Sequence, residues 1–274
     1  MRKIFEKYCE LPTVVRKPLW KIWHRWLSNH DKFGLAVFMN YGFSHLNGDA
    51  PIPLSEEDEP NRYSIQLYHH VATGIDIQGK DVLEVGCGRG GGGSYIMRYL
   101  KPNSYVGLDQ SIYSTKFCNR YHDVENLYFV KGYAESLSFE DSSFDAVINI
   151  ESSRCYADID AFLSGVWRVL RPEGYLLLAD LRTDDEVDDF KQNFLDNGFS
   201  IERTEDISQN VSESLARDSS RRTELIEEHV PKYLHKAFKE FSGVEGTDRY
   251  HLFSDGKMKY WYFVLKKTGS AAAG

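Results

Sequence analysis

Apolar residues recur along the chain in two patterns that alternate with each other. Short apolar runs have the length and the β-branched content of strands buried on both faces of a sheet. They occupy residues 81–85, 105–109, 127–132, 144–151 and 175–180. Two further strands are predicted at 199–208 and 260–267, and apolar residues at helical spacing lie between strands, for example at 159–170. Strands that alternate with helices predict a doubly wound, mostly parallel α/β sheet.

Composition divides the chain into regions. Residues 1–60 are predicted to form an N-terminal helical cap that ends in an acidic, turn-rich loop. Residues 61–267 are predicted to form the main domain, with a helical insertion at about 209–258 that lies as a lid above the strand ends. The small, featureless residues 268–274 are interpreted as a tail or a tag remnant.

The first 30 residues combine a basic back with a tryptophan-rich apolar stripe. The stripe consists of Leu19, Ile22, Trp23, Trp26 and Leu27, at helical spacing. Two interpretations are open. The helix packs over the main domain, or it lies on an anionic membrane or takes up an apolar substrate. Both can hold at once.

Composition and charge exclude several classes of protein. With 274 residues and 42% hydrophobic content, the chain can bury a large core. A net charge of −8 argues against a nucleic-acid binder, which needs a basic face. No apolar stretch approaches the roughly 20 residues of a membrane-spanning helix. Four widely spaced cysteines predict reduced thiols and a cytoplasmic location, and dispersed histidines predict no metal site.

The segment DVLEVGCGRGGGGSYI, residues 81–96, places a glycine run between a predicted strand and a predicted helix. Such a run is also typical of a flexible linker, but the two flanks favour a strand, a tight turn and a helix. In that turn Gly86, Gly88 and Gly90 would let the backbone approach a ligand. Asp109, at the end of the second strand, is placed to accept hydrogen bonds from two ribose hydroxyls.

Two ligands suit a glycine turn followed by an acidic residue: a dinucleotide and S-adenosylmethionine. The register here is Glu84-x-Gly86-x-Gly88-x-Gly90, with an acid two residues before the first glycine. This register suits a zwitterionic, phosphate-free ligand better than a pyrophosphate.

Longer motifs make a family resemblance specific. Over residues 81–181, VLEVGCGRGG, GLD, VKGYAESLSFEDSSFDAVINIES and RVLRPEGYLLLAD resemble the successive motifs of class I methyltransferases that use S-adenosylmethionine. Over nearly the whole chain, segments such as FMNYGF, LYHH, ESSRCY and HVPKYL resemble the phthiotriolone and phenolphthiotriolone dimycocerosates methyltransferases, which O-methylate a hydroxyl on a long-chain lipid. The resemblance implies a seven-stranded Rossmann-like sheet with an N-terminal cap and a helical insertion before the last strand.

The resemblance also implies S-adenosylmethionine as cofactor, S-adenosylhomocysteine as product and a set of cofactor-binding residues. These are Glu84, Gly86, Gly88 and Gly90 around the methionine part, Asp109 and Gln110 at the ribose, Ala134 and Glu135 at the adenine, Asn149 facing the sulfonium, and Tyr41 and Tyr68 closing over the cofactor. Tyr133 stands where relatives usually carry an aspartate that binds the adenine amino group.

Arg154 departs from the family pattern, because relatives carry a histidine there, the natural general base for an alcohol. An arginine cannot take a proton at ordinary pH. The predicted catalytic residues are therefore Asp180 and Glu151 as candidate bases, with Arg154 as a cation for a carboxylate, an enolate or a phenolate. His69 and His70 are further candidates for the base.

The sequence thus predicts a metal-independent methyltransferase enzyme that O-methylates a hydroxyl of a lipid-like or polyketide small molecule. The many aromatic residues, 17 Tyr and 16 Phe, fit a large apolar acceptor. Two alternatives remain: a carbon methyltransferase of the same fold, and a non-methylating cyclase or peripheral membrane-binding protein that keeps the fold.

Overall fold

The structure is a computed structural model that describes residues 36–46 and 52–269. The tryptophan-rich helix predicted in residues 1–30 lies outside the described residues. The centre of the fold is one seven-stranded sheet in the order β3-β2-β1-β4-β5-β7-β6, in which β7 runs antiparallel to its neighbours. The strands are β1 Asp81–Val85, β2 Ser104–Asp109, β3 Leu127–Lys131, β4 Phe144–Ile150, β5 Leu170–Arg182, β6 Phe199–Asp206 and β7 Lys259–Lys267. The predicted mostly parallel, doubly wound sheet is confirmed.

Helices cover both faces of this sheet and also fill the region between β6 and β7. Five of them are α1 Arg62–Ala72, α2 Gly91–Tyr99, α3 Ile112–Tyr121, α4 Ile159–Val169 and α5 Asp184–Asp196. The insertion between β6 and β7 contains α6 Ser208–Arg217, α7 Ser219–His229, α8 His235–Phe241 and α9 Asp248–Ser254. In the described part of the chain, no helix is both long and apolar enough to cross a membrane.

Alternate residues of the strands enter two separate cores, one on each face of the sheet. Val82 and Tyr105 pack with α1 and α2 residues on one face, whereas Leu83 and Phe263 pack with α4 and α5 residues on the other. This alternation follows from the period of two that any strand imposes on its side chains. Both faces are apolar, as the continuous apolar runs of the sequence predict.

The segment RPEG, residues 171–174, differs from the turn predicted between a helix and the fifth strand. In the structure β5 already begins at Leu170, which pairs with Phe144 of β4, and the next paired residue is Tyr175, opposite Ala146. The four residues therefore form an irregularity inside β5, with Glu173 at a φ of +64°. The strand can start early because Leu170 is a buried apolar residue beside β4.

The two edge strands of the sheet differ in chemistry. β3 exposes Tyr128 by 54% and Val130 by 37%. β6 exposes charged side chains, among them Glu202 and Arg203. One edge is therefore partly apolar and the other is charged.

Residues 36–46, which we call the strap, connect the carboxyl edge of the sheet with the insertion. The amide of Gly91 in α2 donates to the carbonyl of Val37 at 3.2 Å. The Phe43 amide donates to the Tyr63 carbonyl in α1 at 2.9 Å, and Ser44 exchanges hydrogen bonds with Asn210 in α6. The strap therefore lies across the ends of three helices, beside the glycine turn.

Candidate active site

The glycine turn follows β1 directly, at the carboxyl edge of the sheet. Gly86, Gly88 and Gly90 all have positive φ values, of 84°, 55° and 78°. A Cβ atom at Gly86 would lie 2.4 Å from Oγ of Ser152, whereas at Gly88 the nearest atom would be the Met39 sulfur at 3.8 Å. Gly86 is thus required by close packing, and Gly88 leaves room for a ligand.

The rest of the glycine run forms the first turn of α2 and packs against the strap and two aromatic rings. A Cβ at Gly92 would lie 1.9 Å from the Tyr68 ring, and one at Gly93 would lie 2.8 Å from the Tyr105 ring. At Gly91 the obstacle is the carbonyl of Val37, at 2.7 Å. The run is therefore a packing surface rather than a linker.

Glu84 lies beneath the turn, 1% exposed, between two tyrosines. The Tyr68 hydroxyl donates to its Oε1 at 2.8 Å and the Tyr105 hydroxyl donates to its Oε2 at 2.9 Å. Burial raises the pKa of Glu84 to about 7, although both hydrogen bonds lower it. The structure thus places Tyr68 in the core as a partner of Glu84, so the two sequence-predicted residues lie together.

Asp109 ends β2 next to the turn and is 8% exposed. Its Oδ2 accepts from the Gly88 amide at 3.0 Å and its Oδ1 accepts from the Ser111 amide at 2.8 Å. Burial raises its pKa to about 6, against the effect of both amides. Since each oxygen has one donor, each keeps acceptor capacity for a hydroxyl. Gln110, the next residue, is exposed.

The segment after β3 contains the residues predicted at the adenine. Ala134 is buried, and Oε1 of the half-buried Glu135 accepts from the Ala157 amide at 3.0 Å. Tyr133 is 49% exposed and forms an isolated bridge with Ser136. The Glu135 contact joins this segment to the loop that follows β4.

Asn149 lies at the carboxyl end of β4 and is completely buried. Its Nδ2 donates to the Val85 carbonyl at 2.8 Å, and Ser152 Oγ and the Tyr156 hydroxyl lie within 2.9 Å of the same nitrogen. Its Oδ1 is a buried acceptor with no hydrogen-bond donor in the described structure. A buried acceptor of this kind beside the glycine turn fits a ligand that carries N–H groups.

Glu151 follows β4 in the left-handed backbone region, with a φ of +51°. Two donors reach its Oε1: the Tyr41 amide of the strap at 2.8 Å and the Tyr260 hydroxyl of β7 at 2.9 Å. Burial raises the pKa of Glu151 to about 7, although both donors lower it, and the charge of Asp180 raises it further. A carboxyl with this pKa can exchange a proton near neutral pH.

Asp180, the other predicted base, is 1% exposed and engaged on both oxygens. Oδ2 accepts from the Ser153 hydroxyl at 2.6 Å and the Arg154 amide at 2.9 Å, and Oδ1 accepts from the Leu181 amide at 2.8 Å. Arg182 lies 3.5 Å away. These contacts fix the short 3₁₀ turn Ser153–Cys155. The geometry therefore favours Glu151 over Asp180 as a base.

The two histidines of α1 have partners on other elements. Nδ1 of His69 lies 2.7 Å from the Tyr95 hydroxyl of α2, and Nε2 of His70 lies 2.9 Å from Glu205 of β6. The His70 ring also stacks on Phe43 of the strap, with centroids 4.4 Å apart. Burial lowers the pKa of both histidines. They join α1 to its neighbours.

Cationic side chains surround Tyr41 of the strap. The Tyr41 ring meets Phe253 of α9 edge-on at 5.2 Å. Burial raises the pKa of its phenol, while the charges of Arg249, Arg154 and Arg222 lower it. Arg154 is half-buried and lies in the turn that Asp180 fixes. Glu151, a carboxyl of raised pKa that accepts from the Tyr41 amide, therefore lies close to positive charge.

Sequence reasoning missed Tyr260 and Arg222. Tyr260 has the pattern of an ordinary buried strand residue, and Arg222 lies in a polar helix of the insertion. Arg222 donates to the carbonyl of Tyr41 at 3.0 Å and to that of Ser242 at 2.8 Å. The contact of Tyr260 with Glu151 joins residues 109 apart, and the two contacts of Arg222 join residues 181 and 20 apart. No local sequence signal therefore indicates them.

The described residues fit S-adenosylmethionine and form no metal site. Gly88 leaves space, Asp109 keeps acceptor capacity, and Asn149 offers an unsatisfied buried oxygen. Within residues 36–46 and 52–269, no group of three or more His, Cys, Asp or Glu side chains is arranged to hold a metal ion.

In sequence, this chain is similar to known methyltransferases. The methyltransferase domain family matches residues 83–178. The phthiotriol/phenolphthiotriol dimycocerosates methyltransferase of Mycobacterium leprae is 38% identical over 257 residues, which cover 93% of this chain and 94% of that protein. A fatty-acid O-methyltransferase of Mycolicibacterium smegmatis is 47% identical over 178 residues, 64% of each chain. The crystal structure of the [4+2]-cyclase SpnF, 18% identical, superposes with a TM-score of 0.66 and covers 89% of this chain and 92% of that one, which shows a shared fold.

Proposed function

This chain belongs to the S-adenosylmethionine-dependent methyltransferases, in the group of the phthiotriol/phenolphthiotriol dimycocerosates methyltransferases, and on that premise we propose that it O-methylates a lipid-like or polyketide acceptor. We propose a hydroxyl as the accepting group. The observation that carries this proposal is Glu151, a carboxyl with a pKa of about 7 at the carboxyl end of β4, beside the glycine turn.

We assign the cofactor to the glycine turn at the carboxyl edge of the sheet. Asp109 would hold the ribose hydroxyls with the acceptor capacity that Gly88 and Ser111 leave. Ala134 and Glu135 would flank the adenine, and Oδ1 of Asn149 would accept from the methionine end. When bound, S-adenosylmethionine supplies a methyl group on a sulfonium, which is electrophilic without a metal. Glu84, held by Tyr68 and Tyr105, supports the turn from below.

The proposed base is Glu151. A hydroxyl is a weak nucleophile, and a carboxylate that accepts its proton strengthens it as the new bond forms. Asp180 fixes the turn that carries Arg154, whose charge would stabilise negative charge on the acceptor. Holding the acceptor oxygen in line with the methyl group supplies a large part of the rate enhancement.

An apolar acceptor is supported by the aromatic side chains and by the relatives. Tyr41 and Phe253 pack together between the strap and the insertion, and Tyr156 lies beside Asn149. The names of two relatives specify a dimycocerosate and a fatty acid as the methylated molecules. On sequence alone, we also propose that residues 1–30 contact a membrane surface from which such an acceptor is taken.

Arg154 favours a second candidate, methylation of carbon. A cation in the place of a histidine can stabilise an enolate, whose carbon then accepts the methyl group. The two candidates share the cofactor site and differ in their product. An ether or an ester distinguishes O-methylation from the new carbon–carbon bond of C-methylation.

The test begins with calorimetric titration of the protein with S-adenosylhomocysteine. We expect Asp109→Ala to lose at least tenfold in affinity, because a buried partner of two ligand hydroxyls is removed. Asp123→Ala, which removes an exposed acid from the loop between α3 and β3, serves as the control and should bind normally.

Radiolabelled methyl transfer to a long-chain alcohol, a fatty acid and a phenolic polyketide then identifies the accepting group. Cofactor binding without any transfer would instead favour the non-methylating cyclase or membrane-binding alternative. Deletion of residues 1–30 tests the membrane contact. The truncated protein should bind anionic liposomes more weakly and should still methylate a dispersed acceptor.

A further inference from the structure

We propose that Tyr260 is a positioning residue for Glu151, holding one oxygen of the carboxyl so that the other faces the acceptor. This inference rests on the proposed role of Glu151 as the base. The Tyr260 hydroxyl donates to Oε1 of Glu151 at 2.9 Å across 109 residues of sequence.

The sheet fixes the position of Tyr260 more rigidly than a loop would. Tyr260 is completely buried in β7 and pairs with Leu181 of β5. Its amide donates to Oγ of Ser208 at 2.8 Å, and its carbonyl accepts from the Ile207 amide at 2.9 Å. The backbone is therefore held from both sides, and the reach of the phenol is set by the sheet.

Both donors to Glu151 use the same oxygen. The Tyr41 amide reaches Oε1 from the strap while Tyr260 reaches it from β7, and among the described residues no hydrogen bond goes to Oε2. One oxygen is thus anchored, and the other remains to accept a proton. The left-handed backbone at Glu151 is costly for a residue with a side chain, so its orientation must be fixed by such contacts.

The charged and titratable groups around Glu151 come from several elements. They are Tyr41 on the strap, Asp180 on β5, Arg222 on α7, Tyr260 on β7 and Tyr68 on α1. Burial and the Glu151 charge raise the pKa of Tyr260 well above its usual range, so its hydroxyl stays a donor at every assay pH. Of the two donors, only Tyr260 uses a side chain and can be removed by substitution.

Tyr260→Phe tests the proposal, with Tyr262→Phe as the matched control. Tyr262 lies two residues further along β7 and is equally buried, but its hydroxyl donates to the Val71 carbonyl at 3.1 Å, away from Glu151. The first readout is the pH dependence of kcat/KM for methyl transfer. The second is a carbon-13 NMR titration of glutamate carboxyls, in which Glu151→Gln identifies the signal of Glu151 by its loss.

A base must be ionised, so turnover rises with pH through the pKa of Glu151. Tyr260 stabilises the ionised form, and its removal should move the acidic limb and the NMR titration of Glu151 upward by about 1 pH unit. Turnover at high pH and the affinity for S-adenosylhomocysteine should change little. Tyr262→Phe should change neither the pH dependence of kcat/KM nor the NMR titration of Glu151.

An unchanged NMR titration in Tyr260→Phe, or an equal shift in Tyr262→Phe, would overturn the proposal. The NMR titration needs no acceptor, so it tests the positioning role of Tyr260 separately from the proposed O-methylation. A shifted titration in a protein that methylates no oxygen supports the positioning contact and refutes the proposed function. Full activity of Glu151→Gln with the wild-type pH profile refutes Glu151 as the base, and the positioning role falls with it.

Discussion

At the scale of single residues, the site depends on carboxyls whose burial outweighs their hydrogen bonds. Burial raises the pKa of Glu84 and of Glu151 to about 7, and that of Asp109 to about 6. All three values lie above those of an unfolded chain. Each of these carboxyls therefore binds a proton in the folded protein at pH values where it is ionised in the unfolded chain, and its contribution to stability falls as pH rises from about 4.5 through 7.

Glu84→Gln should reduce this pH dependence. In wild type, ionising Glu84 between two phenols in the core destabilises the folded state, and an amide cannot ionise. Between pH 5 and pH 8, the free energy of unfolding of the cofactor-free variant should therefore gain about 2 kcal/mol relative to that of the cofactor-free wild type. Urea denaturation at several pH values measures it. Asp123→Asn, at an exposed position, should parallel wild type, and parallel curves for Glu84→Gln would contradict the assignment.

The sequence predicts the acids of the site better than their partners. The register of Glu84 and the glycines, and the place of Asp109 at a strand end, follow from local spacing. Tyr105 and Tyr260 contact their carboxyls across 21 and 109 residues, and nothing in their own neighbourhoods distinguishes them from core residues. The choice between Glu151 and Asp180 likewise needed the structure, because it depends on which oxygens already have donors.

At the scale of elements, α2 begins in glycine because neighbouring segments approach its backbone. Gly92→Ala should destabilise the protein by about 3 kcal/mol, since the new Cβ would lie 1.9 Å from a Tyr68 ring that its hydrogen bond to Glu84 holds in place. Gly165→Ala in α4 is the control. There the nearest atom would lie 3.6 Å away, and helix propensity predicts a gain of about 0.5–1 kcal/mol.

Urea denaturation of both variants measures the contrast. Equal effects of the two substitutions would show that the Tyr68 ring does not exclude a side chain at residue 92. A loss confined to Gly92→Ala would also explain why a run so similar to a linker folds as a helix. The aromatic rings that require it come from α1 and β2, outside the run.

Elements with strong local signals were the easier ones to predict. The strands stand out as apolar runs, and their observed bounds lie within two residues of the predicted ones except at β5. The helix α5 was not singled out, although Thr183 and Glu186 bear the pattern of a capping box and the Thr183 amide donates to the Glu186 carboxylate at 2.9 Å. Its few apolar residues among many acids made the helical pattern faint.

At the scale of the whole molecule, Arg222 joins the insertion to the strap. It pairs with Asp218 at 2.8 Å and donates to the carbonyls of Tyr41 and Ser242. Arg222→Ala should lower the stability by about 3 kcal/mol, because it leaves a buried carboxylate with one cation fewer. It should also speed hydrogen exchange in the strap and weaken binding of S-adenosylhomocysteine.

Exchange measured by mass spectrometry on peptides covering residues 36–46 tests this link. Arg217→Ala removes an exposed ion pair with Glu213 on the neighbouring helix, which solvent screens, and should leave the strap protected. A destabilised Arg222→Ala protein with unchanged exchange in the strap would show that the arginine stabilises only the insertion.

The overall architecture was predictable because the family motifs occur in order along the chain. The way in which the strap and the insertion meet over the turn was not, since that contact is made by polar groups such as Ser214 and the Tyr41 carbonyl, 3.1 Å apart. Polar contacts between distant segments leave no periodic trace in a sequence.

The unequal edges of the sheet have a consequence for handling the protein. A strand edge that bears apolar side chains invites pairing with another chain, whereas charges prevent it. Tyr128 and Val130 make β3 the edge at which concentrated protein should begin to aggregate, while Glu202 and Arg203 protect β6. A lysine in place of Tyr128 should therefore raise the solubility limit without touching the chemistry at the other end of the strands.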